Sequence, residues 1–220
     1  ATAWSTGFRT SNGAVGMDAS GDALSTFGRQ AKAAGKGTGL VTTAAVTDAS
    51  PAAFYASVTD RELTEQIARQ YVDGGGPDVI LGGGRNAWSS GDLLGRARAA
   101  GYGYADTAAA LTGAPDAKLL GLFGDEQLWE ADGTPPPSLA MLTTAALDRL
   151  STGPDGFFLF VEEEGIDEAS HANDGDAMLT AMRSLDEAVG AARRFVAANP
   201  EPLLIVTGAH ETGAPSLDQG

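Results

Sequence analysis

Short apolar runs alternate along the chain with stretches in which apolar residues recur every three or four positions. The runs at 39–43 (Gly-Leu-Val-Thr-Thr), 78–81 (Asp-Val-Ile-Leu), 157–161 (Phe-Phe-Leu-Phe-Val) and 203–206 (Leu-Leu-Ile-Val) predict strands, and 119–123 is a further apolar segment. Between them, Leu24, Phe27, Ala31 and Ala34 keep helical spacing before a stop at Gly35. A helix is predicted to begin at Pro51, with Ser50 as its N-cap, and to run through Phe54 and Tyr55. Others carry Leu63 with Ile67, Leu93 with Ala97, and Leu139 with Leu147 and Leu150, the last capped by Ser138 behind the stiff connector Thr134-Pro135-Pro136-Pro137. Met178, Met182, Leu185 and Val189 line one face of a long helix ended by Asn199-Pro200, which assigns these methionines to the core. Strand and helix in alternation predict an α/β fold: a mostly parallel central sheet with helices on both faces.

The segment 157–171 changes character halfway. Its apolar half reads as a strand buried on both faces, and five carboxylates and a histidine follow within the ten residues from Glu162 to His171. In open α/β sheets, ligands sit just beyond the carboxyl ends of strands. Asp167 and His171 stand four apart, so a helix there puts both on one face, able to hold one cation. Two other predicted strands lead to Asp48 with Ser50 and to His210. The chain has 2 histidines, and both fall at strand ends beside carboxylates. Ser50 and Glu162 offer oxygen ligands suited to magnesium, whereas Asp with His suits zinc. Such a set serves in-line displacement at phosphorus, where two metals about 3.5–4 Å apart clamp the attacking and leaving oxygens. Gly82-Gly83-Gly84 lacks the Lys and Ser/Thr of a phosphate loop and reads as a tight turn.

Composition narrows the partners. At 220 residues and 43% hydrophobic, the chain suits a single domain, 1–220. Its net charge of -15 argues against nucleic acid and against an anionic membrane surface, so an anionic substrate needs a locally positive site. Without cysteine there is neither a disulfide framework nor a thiolate site. No run reaches membrane-spanning length, and no signal peptide precedes Ala1. Both ends read as cut, starting and stopping in mid-pattern.

Taken in order, several motifs together resemble the alkaline phosphatase family. Ala1-Thr2-Ala3-Trp4-Ser5-Thr6-Gly7 with Asn12-Gly13-Ala14 resembles the segment after that family's nucleophilic serine. Val41-Thr42-Thr43 through Asp48-Ala49-Ser50-Pro51-Ala52-Ala53 resembles its magnesium loop. Val79 to Gly84, Phe158 to His171, and Val206-Thr207-Gly208-Ala209-His210-Glu211-Thr212-Gly213 complete the series. The resemblance implies an alkaline-phosphatase-like sheet, incomplete at both ends, and a phosphomonoesterase using two zinc ions and one magnesium through a phosphoserine intermediate. It assigns Asp167 and His171 to the first zinc, His210 to the second, and Glu162 and Ser50 to magnesium, with Asp48 behind them. Arg61 falls where the family keeps the arginine that forks onto two phosphate oxygens, a job suited to a guanidinium. The implied partners are a small phosphomonoester and inorganic phosphate. A homodimer and a periplasmic or extracellular location are implied for the full-length form.

The departures carry their own expectations. The nucleophile of the family pattern lies four residues ahead of Ala1, so no catalytic residue is expected within the chain, and the chain alone is expected to be nearly inactive. Ala209 takes the place of the aspartate paired with the His210 equivalent; Ser50 replaces a more usual threonine; Glu163 and Glu164 stand where small residues are common. Two alternatives remain: a phosphodiesterase or sulfatase of the same superfamily, and a non-catalytic phosphate- or metal-binding relative, for which Ala209 is the argument.

Overall fold

The computed structural model describes residues 1–113, 118–130 and 136–213; Thr134 and Pro135 of the proline connector and the tail beyond Gly213 lie outside them. The elements in chain order are α1 (Thr2–Thr6), α2 (Phe27–Ala33), β1 (Gly37–Ala45), α3 (Ala49–Ala53), α4 (Thr64–Val72), β2 (Val79–Gly83), α5 (Leu93–Ala99), β3 (Tyr102–Ala105), α6 (Ala108–Gly113), β4 (Lys118–Leu122), α7 (Leu139–Leu150), β5 (Phe157–Glu162), α8 (Gly165–His171) and α9 (Gly175–Ala198). The strands form one sheet in the order β3-β4-β2-β1-β5, every neighbouring pair parallel.

Alternation along the strands divides the core in two. Leu40, Ile80 and Leu120 face Tyr55, Ile67, Tyr71, Trp88 and Leu93 on one side. Val41, Leu81 and Leu119 face Leu139, Leu142, Ala146 and Leu150 on the other. Helices thus cover both faces, as the pattern predicts. The chain steps from β1 to β2 in one direction and later returns from β4 to β5 on β1's opposite side. The crevice beyond the carboxyl ends of β1 and β5 is therefore the topological switch point, where open parallel sheets place ligands.

Several local expectations need correction. Asp48, not Ser50, is the N-cap of α3: its side chain accepts from the Ala49 N–H, and Pro51 sits in the first turn, where a missing N–H costs nothing. This short helix ends at Ala53, before Phe54 and Tyr55. The glycine run is not all turn, since Gly82 and Gly83 belong to β2. A Cβ on Gly83 would lie 1.9 Å from the Glu126 carbonyl oxygen, so only glycine lets that loop close on the strand. The Gly84 N–H is bound to the same oxygen at 2.7 Å, leaving it no role in holding phosphate.

Other corrections concern exposure. β5 is half-buried along its length rather than buried on both faces, because it is an edge strand with β1 as its only ladder neighbour among the described residues. Its rings still pack inward, Phe158 and Phe160 against Phe54 at 5.5 and 4.7 Å and Phe157 against Phe195 at 5.9 Å. The predicted strand 203–206 does not form. It lies outside any sheet, with Leu203 84% and Ile205 71% exposed, since apolar β-formers make a strand only where a neighbour supplies the ladder. The methionines are not core either: Met182 is 46% exposed, and α9 instead buries Ala188 and Ala191, whose small side chains let it approach α7 closely. Three elements had no clear signal in the sequence, α1, β3 and α6.

Candidate functional site

The site is built from the last residues of β1 and β5, which leave the sheet side by side. Thr42 and Glu162 are register partners, and the Thr42 hydroxyl donates to Glu162 Oε2 at 2.7 Å. Ser50, carried round by α3, brings its hydroxyl close enough to the same carboxylate to favour its charged form. Burial pushes Glu162 up to about 7; the two hydroxyls oppose that shift, and the charges of Asp48 and Asp167 add to it. One residue further on, the Thr43 hydroxyl donates to Glu163 Oε1 at 2.8 Å and accepts from the Glu164 N–H at 3.0 Å.

Asp48 does two jobs, capping α3 and pairing with the Arg61 guanidinium. The loop bearing Arg61 is held in place by its backbone: the Arg61 N–H donates to the Gly13 carbonyl at 2.8 Å, and Val15 and Val58 exchange hydrogen bonds at 3.0 and 2.9 Å. Ala1, at the start of α1, lies close enough to Arg61 and Glu162 to feel both charges. This brings the Asn12-Gly13 turn, Arg61 and the α1 segment, remote in sequence, to the rim where β1 and β5 end.

Across the rim, α8 places Asp167 and His171 on one face, with His171 Nε2 3.4 Å from Asp167 Oδ2. His210 comes to the same aspartate although its segment is no strand: Nδ1 stands 3.9 Å from Asp167 Oδ1. The Thr212 hydroxyl joins the two, donating to Asp167 Oδ1 and lying 3.1 Å from His210 Nδ1. Trp4 Nε1 donates to the Ala209 carbonyl at 2.9 Å, tying the segment to α1. Ala209 contributes only main chain to that contact; its methyl group offers no ligand atom. The seven residues singled out in the sequence lie in three groups at the rim, Asp48 with Arg61, Glu162 with Ser50 near it, and Asp167 with His171 and His210, and the carboxylates of the groups act on one another through their charges.

The donor set fits a hard cation. Glu162 is a desolvated carboxylate bonded by the neutral Thr42 hydroxyl with that of Ser50 nearby, and Glu164 Oε2 is buried without a hydrogen-bond partner. Burial first, then the charges of Asp48, Glu168, Glu162 and Asp167, push Glu164 up to about 9. Oxygens of Glu164, Asp167 and Glu168 lie within 4.8 Å of one another. Carboxylates crowded in this way repel unless protons or cations intervene. Asp167 flanked by two imidazoles adds the nitrogen and oxygen ligands that zinc accepts.

Thr42, Thr43, Thr212 and Trp4 were not singled out for the site. The signal for the first two is a pair of hydroxyls at the end of an otherwise apolar strand. Thr212 and Trp4 act through contacts between residues far apart in the chain, which no local pattern reveals.

A family model described as alkaline phosphatase matches residues 1–219. The chain belongs to the alkaline phosphatase family. It is 38% identical to alkaline phosphatase 4 of Bacillus subtilis, over 96% of this chain and 48% of that protein. Among solved structures it resembles the alkaline phosphatase of Thermus thermophilus, with a TM-score of 0.85 and 38% identity over 90% of this chain and 44% of the other. It also resembles a mutant alkaline phosphatase of TAB5 described with Mg bound, at a TM-score of 0.79 and 27% identity over 90% of this chain and 59% of the other. The chain thus spans about half the length of the curated relatives it matches. The parallel sheet and its helices are those of the alkaline phosphatase fold in part.

Proposed function

We propose that the protein hydrolyses phosphate monoesters, with Arg61 binding the phosphate and the carboxylates and histidines at the β1–β5 rim holding zinc and magnesium. The observation that carries the reading is the convergence of Arg61, Glu162, Asp167, His171 and His210 at the switch point of a chain in the alkaline phosphatase family. Glu162 and Ser50 are the residues for magnesium, with Asp48 behind them; Asp167 and His171 are those for one zinc and His210 for a second. When bound, these cations supply Lewis-acid stabilisation of charge on the phosphoryl oxygens and the leaving group.

The protein's own groups prepare the rest. Arg61 presents a planar fork to two phosphate oxygens, exchanging its Asp48 partner for the substrate. Its fixed main chain limits the reorganisation this requires. Thr42 donates to Glu162 and holds its carboxylate in one orientation, with the Ser50 hydroxyl nearby; Thr212 donates to Asp167 in the same way. On the family pattern the serine nucleophile enters ahead of Ala1, and Ala1 lies within reach of the charges of Arg61 and Glu162, which suits its delivery, with a phosphoserine intermediate. We assign the chain one domain over 1–220, and the whole protein an exported homodimer. Among the described residues, no helix is long and apolar enough to cross a membrane.

The test is release of phosphate from a simple aryl phosphate by the whole protein supplied with zinc and magnesium. Turnover abolished by chelation and restored by both metals is the expected result. The 220-residue chain by itself is expected to release little. Hydrolysis of diesters or sulfate esters in preference to monoesters overturns the assignment. One observation favours a second reading: Ala209, with no ligand atom, weakens the site around His210, as in a non-catalytic phosphate-binding relative. Tight phosphate binding without turnover by the metal-loaded whole protein would select it.

A further inference from the structure

We infer that Glu163 is a positioning residue that locks the β5–α8 turn and so sets the spacing between Glu162 and Asp167. The inference rests on the cation-binding reading above. Glu163 lies between the two groups in sequence, yet its own carboxylate is engaged by other partners. Oε1 accepts from the Thr43 hydroxyl at 2.8 Å and from the Gly165 N–H at 3.2 Å, and Oε2 accepts from the Ser184 hydroxyl. The Thr43 hydroxyl in turn accepts from the Glu164 N–H at 3.0 Å. One side chain therefore joins the end of β1, the Gly165 N–H of the turn and α9, which is otherwise packed against α7 and α8, while its partner Thr43 holds the Glu164 N–H.

Gly165 makes the arrangement possible. A Cβ there would stand 3.0 Å from Glu163 Oε1, closer than such contacts normally come, with Ala181 Cβ at 3.4 Å and the Trp129 ring at 3.5 Å on its other sides. A carboxylate at 163 and a bare α-carbon at 165 are thus a matched pair. The carboxylate of Glu163, satisfied by three donors, does not need the cation. What it contributes is geometry, because Glu162 is the residue before the lock and Asp167 leaves the first turn of the helix after it. Groups that orient ligands from behind in this way affect metal affinity about ten- to a hundredfold.

Magnesium binding to the protein, followed by titration calorimetry, tests this. Glu163→Ala is expected to bind magnesium about ten- to a hundredfold more weakly. Glu163→Gln, which keeps an acceptor for Thr43 and Gly165 and faces Ser184 with an amide, is expected to bind close to wild type. Gly165→Ala is expected to weaken binding in the wild-type background and to be neutral alongside Glu163→Ala. Glu163→Gln falling as far as Glu163→Ala would make the effect one of charge alone and overturn the inference. So would unchanged binding in Glu163→Ala, or equal losses from Gly165→Ala in both backgrounds. If Glu163→Ala does not fold, Ser184→Ala takes its place: a smaller loss supports the lock and no loss overturns it. Wild-type protein that binds no magnesium defeats the cation reading and this inference together, whereas binding by wild type and variants alike defeats the inference alone.

Discussion

Arg61 is positioned by its backbone as well as by its charge, which separates its effect on phosphate from any effect on the fold. The N–H bond to Gly13 survives substitution, while the guanidinium that pairs with Asp48 does not. Arg61→Ala is therefore expected to leave the unfolding midpoint nearly unchanged, because half-exposed ion pairs contribute little. Inhibition by inorganic phosphate in the whole protein is expected to weaken about tenfold to a hundredfold, the worth of a charge-assisted pair of roughly 1.5–3 kcal/mol. Arg61→Lys recovers the charge without the fork and is expected to recover only part of the affinity. Thr42 gives the opposite contrast. Its hydroxyl is the donor that opposes desolvation of Glu162, so Thr42→Val leaves a buried carboxylate short of a partner. The expected cost is about 1–3 kcal/mol in urea unfolding without metal. Magnesium is expected to reduce that cost, since it supplies the missing positive partner.

At the scale of elements, the cap of α3 decides between two readings of neighbouring residues. Pro51 pointed to Ser50 as the cap, but the helix starts two residues earlier because the Asp48 carboxylate reaches the Ala49 N–H and proline is tolerated throughout a first turn. Ser50→Ala is accordingly expected to change stability by less than about 0.5 kcal/mol while weakening magnesium binding. Asp48→Ala is expected to cost about 1 kcal/mol through the cap alone. Urea unfolding and calorimetry on the two variants separate these roles. The same contrast explains what could be read from the sequence. Buried runs such as 39–43 and 78–81 announce strands, and Asp167 with His171 announces a helical pair, since both follow from local spacing. The exposure of β5 and of 203–206 depends on which strands lie alongside, and β3, Tyr-Gly-Tyr-Ala, takes its strand form from β4 rather than from its own propensity. The stripe α9 buries was likewise hidden, because alanines at 188 and 191 bury better against α7 than the larger methionines nearby. For the site, the charged ligands were legible by type and position. The hydroxyls that orient them were not, because Thr212 meets Asp167 across 45 residues.

For the whole molecule, the balance of charge makes the rim a stress point that cations relieve. The chain carries a net charge of -15, and Asp48, Glu162, Glu164, Asp167 and Glu168 all act electrostatically on one another's neighbourhood, with Arg61 the arginine among them. A cation that binds the folded state and not the unfolded one stabilises by mass action, about 2.7 kcal/mol at a hundred times its dissociation constant. For a chain of this size each kcal/mol moves the melting temperature by about 2–4 °C. Magnesium at that excess is thus expected to raise the melting temperature by about 5–10 °C over a chelated sample. Sodium chloride at equal ionic strength screens the long-range repulsion without occupying the rim and is expected to give a smaller rise. The comparison separates a site from a charge effect: Glu162→Gln abolishes the difference between the two salts if the rim binds magnesium, and leaves it intact if magnesium only screens. Scanning calorimetry of wild type and Glu162→Gln in the two salts decides the matter, and equal responses of the two proteins would show that the crowded carboxylates are not a cation site.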